Sequence, residues 1–277
     1  MRCLRYTRGA PRDALLPRRS ALNSGLFAHC VCRLPLDAAL SIYAQEATRR
    51  VKTMSGSHRR AAGLYVERYA GGEDLLTLAA AVDCPPCTVL RLLLETAFGL
   101  TPKACSSALR DPYSLPDPLP EAVGRLDIPR SRVVQDIHRG VAWDHVTSPL
   151  VERLKAAAGA QYEHALEAAL TALQVPFSTE AALRADGFAR TPDVRLDAPI
   201  AVCGRLVHWI DSKASFSDPY VHAEKGLPQF QAYVNRYGPG LVIYWFGIIE
   251  ELNTHPSVLL MARFPRPEEV KTLPVRC

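Results

Sequence analysis

The first half of the chain places apolar residues at the three- and four-residue steps of an α-helix. One helix is predicted from Asp37, whose side chain can cap its start, to Val51. The sequence Ser55-Gly56-Ser57 predicts a break after it. A second helix is expected from Arg59 as far as Gly71-Gly72, a pair that commonly ends helices.

Two shorter apolar segments follow at residues 74–81 and 88–95, with a turn between them. Small residues before the turn and apolar residues after it are what a helix-turn-helix needs to pack its helices at a steep angle. Reading base edges normally takes several polar side chains, and the second helix offers only Arg91. We therefore favour a structural or phosphate-contacting role over sequence recognition, and assign residues 34–110 to one all-α helix-turn-helix region.

Proline and acidic residues interrupt the helical pattern after residue 110. This composition is typical of a connection between domains. We therefore predict a proline-rich linker over residues 111–145.

The second half changes from a helical to an extended pattern. One long helix is predicted over residues 150–173, and a shorter one around residues 229–233. Extended segments are predicted at residues 193–196, 205–211, 241–246 and 258–262. The third of these is nearly all apolar, as expected of a central strand covered on both faces. Residues 146–277 are therefore predicted to form an α/β domain with a central mixed sheet flanked by helices.

Composition is that of a globular protein, with 48% hydrophobic and 22% charged residues among 277. The net charge of +5 is concentrated, because residues 1–75 hold 13 Lys and Arg against 6 Asp and Glu. That excess suits a polyanionic partner, although solubility alone would account for so small a total. No run of eighteen apolar residues occurs, so no membrane span is predicted.

Eight scattered cysteines lack the regularity of a disulfide framework, which favours a reducing compartment. The sequence Cys84-Pro85-Pro86-Cys87 lacks the second Cys or His pair that a zinc finger requires. Residues 1–33 carry seven arginines and one acidic residue, Asp13. Three interpretations of this segment remain open: a mitochondrial transit peptide, a basic and disordered arm, or an atypical start that adds nothing to the fold.

Candidate chemistry concentrates in two extended segments of the second half. Thr191-Pro192-Asp193 opens one of them, and Asp211-Ser212-Lys213 closes the next. Side chains alternate along a strand, so Asp211 and Lys213 project to the same face, roughly 6–7 Å apart. If the strand of Asp193 lies alongside, two carboxylates and an ammonium converge, an arrangement that suits Mg²⁺ with its waters and a phosphate oxygen.

This pattern predicts metal-dependent phosphodiester cleavage, in which the lysine orients or deprotonates the attacking water and stabilises charge on the phosphate. The alternative is a surface strand that carries an ordinary ion pair.

Four more residues are candidates for the same site. Glu163 lies at the edge of the apolar stripe of the long helix, where an inward-facing carboxylate must find a partner or a metal. Gln229 and Tyr233 share one helix face and could grip a phosphate or a metal-bound water. His222 lies just beyond the second site strand and could approach the substrate. The alternatives are a salt-bridging glutamate, an ordinary helix surface and a packed imidazole.

Together these residues resemble the PD-(D/E)xK nucleases in order and in predicted structure type. More narrowly, residues 187–193, 208–216 and 235–245 are similar to the codanin-interacting nuclease family, which is linked to a congenital dyserythropoietic anaemia and so to erythropoiesis. The similarity extends over about residues 35–265.

The resemblance implies a restriction-endonuclease-like α/β core related to archaeal Holliday-junction resolvases, preceded by helix-turn-helix modules. It also implies a codanin partner and residence in the nucleus and cytoplasm. By motif, Asp193 and Asp211 would be ligands of Mg²⁺ or Mn²⁺, and Glu163 a further ligand, directly or through water. Lys213 would activate the water, and Gln229 with Tyr233 would be the auxiliary pair.

Two features depart from the family pattern. Asp211 stands where glutamate is more usual, and one methylene less of reach could loosen the metal site. The first 33 residues look unlike the family's usual beginning, which leaves targeting open.

Two hypotheses follow from the sequence. The first is a Mg²⁺- or Mn²⁺-dependent nuclease acting on DNA and selective for DNA structure, in which the helical region supplies phosphate contacts. The second is a non-catalytic adaptor that docks codanin and nucleic acid through a nuclease-like fold, because a fold does not guarantee turnover. The oligomeric state is open in both.

Overall fold

A computed structural model describes residues 34–121 and 127–272 of the chain. The chain divides into two compact units. The described residues between Glu46 and Ala156 form the first, here called the helical unit; the described residues up to Gln45 and from Ala157 onward form the second, here called the sheet unit. The arm predicted over residues 1–33 lies outside the described residues.

Helix α1 (Leu36–Ala70) is continuous where two helices were predicted. The predicted break at Ser55-Gly56-Ser57 is therefore wrong. A glycine inside a helix costs about 1 kcal/mol, and the buried residues Ala62, Tyr65, Val66 and Tyr69 of the following turns offset that cost by packing into the core. Asp37 lies in the first turn rather than at the cap, because the helix already begins at Leu36.

Helices α2 (Leu75–Ala81) and α3 (Pro86–Phe98) meet at 105°. Asp74 caps α2 by accepting hydrogen bonds from the backbone of Leu76 and Thr77. The prediction of two short, steeply packed helices is confirmed, whereas DNA binding by them stays a prediction. Arg91 is half-buried, with its Nε in the interior.

Two more helices complete the helical unit, α4 (Pro102–Arg110) and α5 (Arg130–Trp143). Helix α5 corrects the predicted linker of residues 111–145. Val133 and Ile137 of this helix are 2% and 0% exposed and belong to the same hydrophobic core as α1 and α3. The proline-rich composition before residue 130 misled the interpretation of the helical residues after it.

The sheet unit combines helices with a mixed sheet. Its helices are α6 (Pro149–Ala172), which begins in the helical unit, α7 (Glu180–Ala185), α8 (Pro219–Val221) and α9 (Leu227–Tyr237), with a π-helical turn at His222–Gly226. Its strands are β1 (Phe177–Thr179), β2 (Val194–Val202), β3 (Arg205–Lys213), β4 (Gly240–Tyr244), β5 (Val258–Met261) and β6 (Val270–Thr272). Short 3₁₀ turns lie at Pro112–Ser114, Glu250–Leu252 and Pro267–Glu269.

The strands follow the order β1-β2-β3-β4-β5, with β6 also paired to β2. Strand β2 runs antiparallel to β1 and to β3, whereas β3, β4 and β5 run parallel to one another. The predicted α/β fold with a mixed sheet is therefore confirmed. All five residues of β4 are buried, as its apolar sequence predicts for a central strand.

Each face of the sheet carries its own hydrophobic cluster. Leu166 and Leu170 of α6 pack with Val194 and Ile210 on one face. Phe230 and Tyr233 of α9 pack with Trp209 on the other. Because side chains alternate along β3, Asp211 and Lys213 project to the same face as Trp209. In the described part of the chain no single helix is long and apolar enough to cross a membrane; α2 and α3 reach that criterion only as a bent pair.

Candidate active site

Strand register brings the two predicted aspartates together. Val194 of β2 pairs with Ile210 of β3 in antiparallel register, which places Asp193 directly opposite Asp211. The Ser212 backbone N–H donates to Asp193 Oδ2 at 2.6 Å. Side chains directly opposite in such a pair have Cβ atoms about 4.5–5.5 Å apart. The two carboxylates therefore lie side by side, as the sequence predicted on condition that the strands were neighbours.

Asp211 is the most deeply buried acidic group of this pair, with its side chain 1% exposed. Lys213 Nζ lies 2.6 Å from Asp211 Oδ2, and the lysine side chain remains 28% exposed. Neither carboxylate oxygen of Asp211 accepts a hydrogen bond of regular geometry from the residues described. Lys213 is therefore the charged partner of Oδ2, whereas Oδ1 has no hydrogen-bond donor among the described residues.

Burial and crowding of negative charge control the ionisation of the site. Burial raises the pKa of Asp193 to about 8, and the charge of Asp211 adds to that shift. The pKa of Asp211 is also raised by burial, against the lowering effect of Lys213. For Lys213, burial lowers the pKa, but the Asp211 carboxylate outweighs burial and the pKa is raised overall. The lysine is therefore an ammonium beside two carboxylates of weakened acidity.

Gln229 and Tyr233 support the turn that carries Asp193. Gln229 Nε2 donates to the Tyr233 hydroxyl at 2.6 Å, and that hydroxyl donates to the Thr191 carbonyl at 2.8 Å. Burial raises the pKa of Tyr233, so its hydroxyl keeps the proton that it donates. The predicted pair lies at the site, but its hydrogen bonds hold the Thr191 backbone next to Asp193. A grip on a phosphate or a metal-bound water stays a prediction.

Glu163 lies on α6 and is exposed rather than inward-facing. Its negative charge nevertheless contributes, after burial and Asp211, to the raised pKa of Asp193. Its neighbour Tyr162 stacks on Trp245 with ring centroids 5.0 Å apart. Glu163 therefore stands near the aspartate pair, on the solvent side.

His222 is 4% exposed, and its Nδ1 lies 3.2 Å from the Tyr244 hydroxyl. Burial lowers the pKa of this imidazole, which favours its neutral form. The alternative interpretation of a packed imidazole describes it better than an approach to the substrate.

Helix α1 supports the segment that follows β3. Ser41 Oγ accepts a hydrogen bond from the Phe216 backbone N–H at 2.9 Å, and Gln45 Nε2 donates to the Phe216 carbonyl at 2.9 Å. Local sequence patterns do not predict these contacts, because they join residues more than 170 positions apart.

Glu180 is the acidic residue that the sequence analysis missed. Thr179 pairs with Val194, so Glu180 stands opposite Asp193, and its backbone N–H donates to the Asp193 carbonyl at 2.9 Å. Glu180, Asp193 and Asp211 are therefore successive neighbours, with Glu180 and Asp193 just outside the ends of β1 and β2; the three are here called the acidic row. An acidic residue at the end of a short strand is a weak sequence signal, and no strand was predicted at the position of β1.

The donor set fits a hard divalent cation. Mg²⁺ takes oxygen ligands and keeps several waters, so one or two carboxylates plus substrate phosphates are sufficient. Asp193 and Asp211 supply two carboxylates, and the available oxygens of Asp211 meet this requirement. No group of three or more His, Cys, Asp or Glu residues within the described ranges stands close enough to enclose a metal ion. The remaining ligands would therefore be water and substrate.

Comparison with known proteins identifies the relatives of this chain. Residues 129–264 match a family described as a protein of unknown function with a TPD sequence motif, and Thr191-Pro192-Asp193 lies within that range. The chain is 36% identical over 270 residues to the CDAN1-interacting nuclease 1 of Danio rerio, covering 91% of this chain and 85% of the relative. It is 37% identical over 243 residues to the Homo sapiens protein of the same name, covering 82% of each chain. No solved structure matches it.

These relatives are named as nucleases that interact with CDAN1. The chain belongs to the CDAN1-interacting nuclease 1 family.

Proposed function

We propose that this protein is a metal-dependent nuclease that hydrolyses phosphodiester bonds in DNA and selects its substrate by DNA structure. The observation that carries the proposal is Asp211, whose side chain is 1% exposed, whose Oδ2 is paired with Lys213 and whose Oδ1 has no hydrogen-bond donor among the described residues. A buried carboxylate that is only partly compensated is expensive, so it is expected where a bound cation or a reaction uses it. The names of the relatives, which say nuclease, agree with this interpretation.

Asp193 and Asp211 would hold Mg²⁺ or Mn²⁺, and Glu163 would reach the cation through water from the solvent side. When bound, the cation lowers the pKa of water and polarises the phosphate. Lys213 is protonated beside Asp211, so it orients the attacking water and stabilises negative charge on the phosphate instead of removing a proton. The attacking water would release a proton to solvent as its oxygen bonds to phosphorus, the bond from phosphorus to the leaving oxygen would break, and the leaving oxygen would take up a proton from solvent.

Gln229 and Tyr233 act as positioning residues in this scheme. Their hydrogen bonds hold the Thr191 carbonyl and thereby the backbone that presents Asp193. Preorganisation of this kind matters because a small displacement of a catalytic group can cost about a hundredfold in rate.

We also propose codanin as the partner, because the relatives are named for an interaction with CDAN1. Nuclear and cytoplasmic residence goes with that partner. Fractionation of cells that express the tagged full chain, followed by capture of codanin, tests both points.

Cleavage of a labelled panel of DNAs tests the activity. The panel contains single-stranded, duplex, flap, splayed and four-way-junction DNA, with Mg²⁺, Mn²⁺ or EDTA. Metal-dependent cutting is expected, and Asp211→Asn should lower it by at least about a hundredfold, since metal-ion catalysis is worth several kcal/mol. Asp197→Asn is the matched control, because Asp197 is an exposed carboxylate on the same strand as the site.

Equal cutting by wild type and Asp211→Asn would expose a contaminating nuclease. Absence of cutting in a preparation that binds DNA and codanin, with or without codanin added, would instead support the adaptor hypothesis.

A further inference from the structure

Glu180 is the third member of the acidic row and lies directly after β1. Residues paired directly across antiparallel strands project to the same face of a sheet. Thr179 pairs with Val194, whose side chain belongs to the α6 side of the sheet. Glu180, one residue later, begins helix α7, and its contacts with the Asp193 carbonyl and the Thr191 hydroxyl place it beside the turn that carries Asp193.

The carboxylate of Glu180 contacts an arginine and a threonine hydroxyl, and both interactions are weak. Oε1 lies 2.7 Å from Arg184 Nη2, but the two side chains are 36% and 67% exposed. Exposed i,i+4 ion pairs of this kind are weak. The Thr191 hydroxyl donates a weak hydrogen bond to the same oxygen at 3.3 Å.

Glu180 is also rigidly placed. Its backbone N–H is bonded to the Asp193 carbonyl at 2.9 Å, and Thr179 caps the short helix α7 that it begins. The negative charge reaches the site, because Glu180 is among the groups that influence Asp211, Lys213 and Tyr233 electrostatically. The independent sign of a ligand is Asp211, which is buried: Lys213 pairs with its Oδ2, and its Oδ1 has no hydrogen-bond donor in the described chain.

We propose that Glu180 is a further acidic residue of the cation site, which holds a water bound to the divalent ion and so raises the affinity of the Asp193–Asp211 pair for it. The inference rests on the proposed metal-dependent function. Direct ligation is not required, since no cluster of three ligands exists among the described residues. Groups that orient the ligands of a metal typically contribute 10–100-fold to its affinity.

Binding of Mn²⁺ to the full chain, measured by titration calorimetry and by the electron paramagnetic resonance signal of free Mn²⁺, tests this inference without any reaction. Glu180→Gln removes the charge but keeps an oxygen that can accept from Thr191. It is expected to weaken Mn²⁺ binding about tenfold. Glu268→Gln is the matched control, because Glu268 is an exposed glutamate in the sheet unit that also pairs with an arginine, and it should leave the affinity unchanged.

Thr191→Val separates the charge of Glu180 from its hydrogen bond. This variant keeps the carboxylate and removes the hydroxyl donor, so the loss of affinity should be much smaller than in Glu180→Gln. Equal losses in the two variants would overturn the proposal and make Glu180 a support of the Thr191–Asp193 turn.

Two outcomes distinguish this inference from the proposed function. If wild type binds Mn²⁺, Asp211→Asn abolishes binding and Glu180→Gln binds normally, the role of Glu180 is refuted while the metal site stands. If wild type does not bind Mn²⁺ at all, the metal-dependent function and the role of Glu180 are both refuted. Melting temperatures in EDTA identify any variant that fails to fold.

Discussion

The helical unit buries Asp136 and Asp144 among hydrogen-bond donors, whereas the sheet unit buries Asp211 beside a single ammonium. Asp136 is 4% exposed, accepts from the Tyr69 hydroxyl at 2.7 Å and lies 3.1 Å from Arg139 Nη1. Asp144 is 2% exposed and accepts from the backbone of Cys87, Val146 and Thr147. Asp136 connects α5 to α1, and Asp144 caps the turn that follows α5.

Asp211 is at least as buried but has no such set of donors. Its oxygens accept no regular hydrogen bond from the described residues, and Lys213 is its ion-pair partner. A buried carboxylate is costly when one ion-pair partner is its main compensation and one of its oxygens has no donor among the described residues. We infer that a buried carboxylate surrounded by hydrogen-bond donors stabilises the fold. A buried carboxylate with few donors instead marks a site that a cation or a substrate would complete.

The largest effect that sharpens this comparison is expected in the helical unit. Asp136→Ala leaves the buried Tyr69 hydroxyl without its acceptor and removes the carboxylate beside Arg132 and Arg139. We expect the free energy of unfolding to fall by about 3–4 kcal/mol. Urea unfolding followed by circular dichroism measures it. A loss below about 1 kcal/mol would show that this network is dispensable.

The pH dependence of stability tests the sheet unit. Metal-free folded protein holds a proton on Asp193 up to about pH 8, whereas the unfolded chain releases it near 3.8. The stabilising contribution of Asp193 is therefore fully present below about pH 4 and is lost as the pH rises through about 8. In EDTA, we expect the free energy of unfolding to fall by roughly 3–4 kcal/mol between pH 5 and pH 8.

Asp193→Asn should flatten this dependence, because the amide does not titrate. Urea unfolding at several pH values, with wild type and variant side by side, decides the point. An unchanged slope in the variant would assign the pH dependence to other groups.

Asp211→Asn should stabilise the metal-free protein at neutral pH, opposite in sign to Asp136→Ala. Burial raises the pKa of Asp211 in spite of Lys213, so the charged form costs free energy in the fold. A neutral isostere is expected to raise the free energy of unfolding by about 1–2 kcal/mol. Thermal melting in EDTA checks the sign. A lower melting temperature would mean that the ion pair with Lys213 outweighs the cost of burial.

The smallest effect concerns two tyrosines of α9. Tyr233→Phe removes the hydrogen bond to the Thr191 carbonyl and should lower the free energy of unfolding by about 1 kcal/mol. Tyr237→Phe is the matched control, because the Tyr237 hydroxyl is buried and unpartnered among the residues described, and its removal should be neutral or slightly stabilising. Differential scanning calorimetry compares them. Equal changes in both variants would argue against a role for Tyr233 in holding the turn.

Sequence reasoning predicted several elements because their signals are local. The nearly apolar segment that became β4 and the long helix α6 depend on the periodicity of their own residues. It failed where packing outweighed local preference. The Ser-Gly-Ser sequence within α1 and the proline-rich approach to α5 both suggested a break, and buried contacts made in three dimensions kept the helices intact.

The candidate site divides in the same way. Asp193, Asp211 and Lys213 could be predicted because alternation along a strand determines which side chains share a face. Glu180 could not, since its place depends on the pairing of a three-residue strand with β2. The hydrogen bonds of Gln229 and Tyr233 to the Thr191 backbone also depend on how α9 packs on the sheet.

By itself, then, the sequence determined the α/β class of the second half, the aspartates and lysine of the candidate site, and the family resemblance, because periodicity and motif spacing are properties of neighbouring residues. The tertiary structure alone decided that α1 is unbroken, that Asp211 is buried with its oxygens available, and that Glu180 joins the acidic row. Burial and strand register arise from contacts between distant parts of the chain, and local patterns do not encode them.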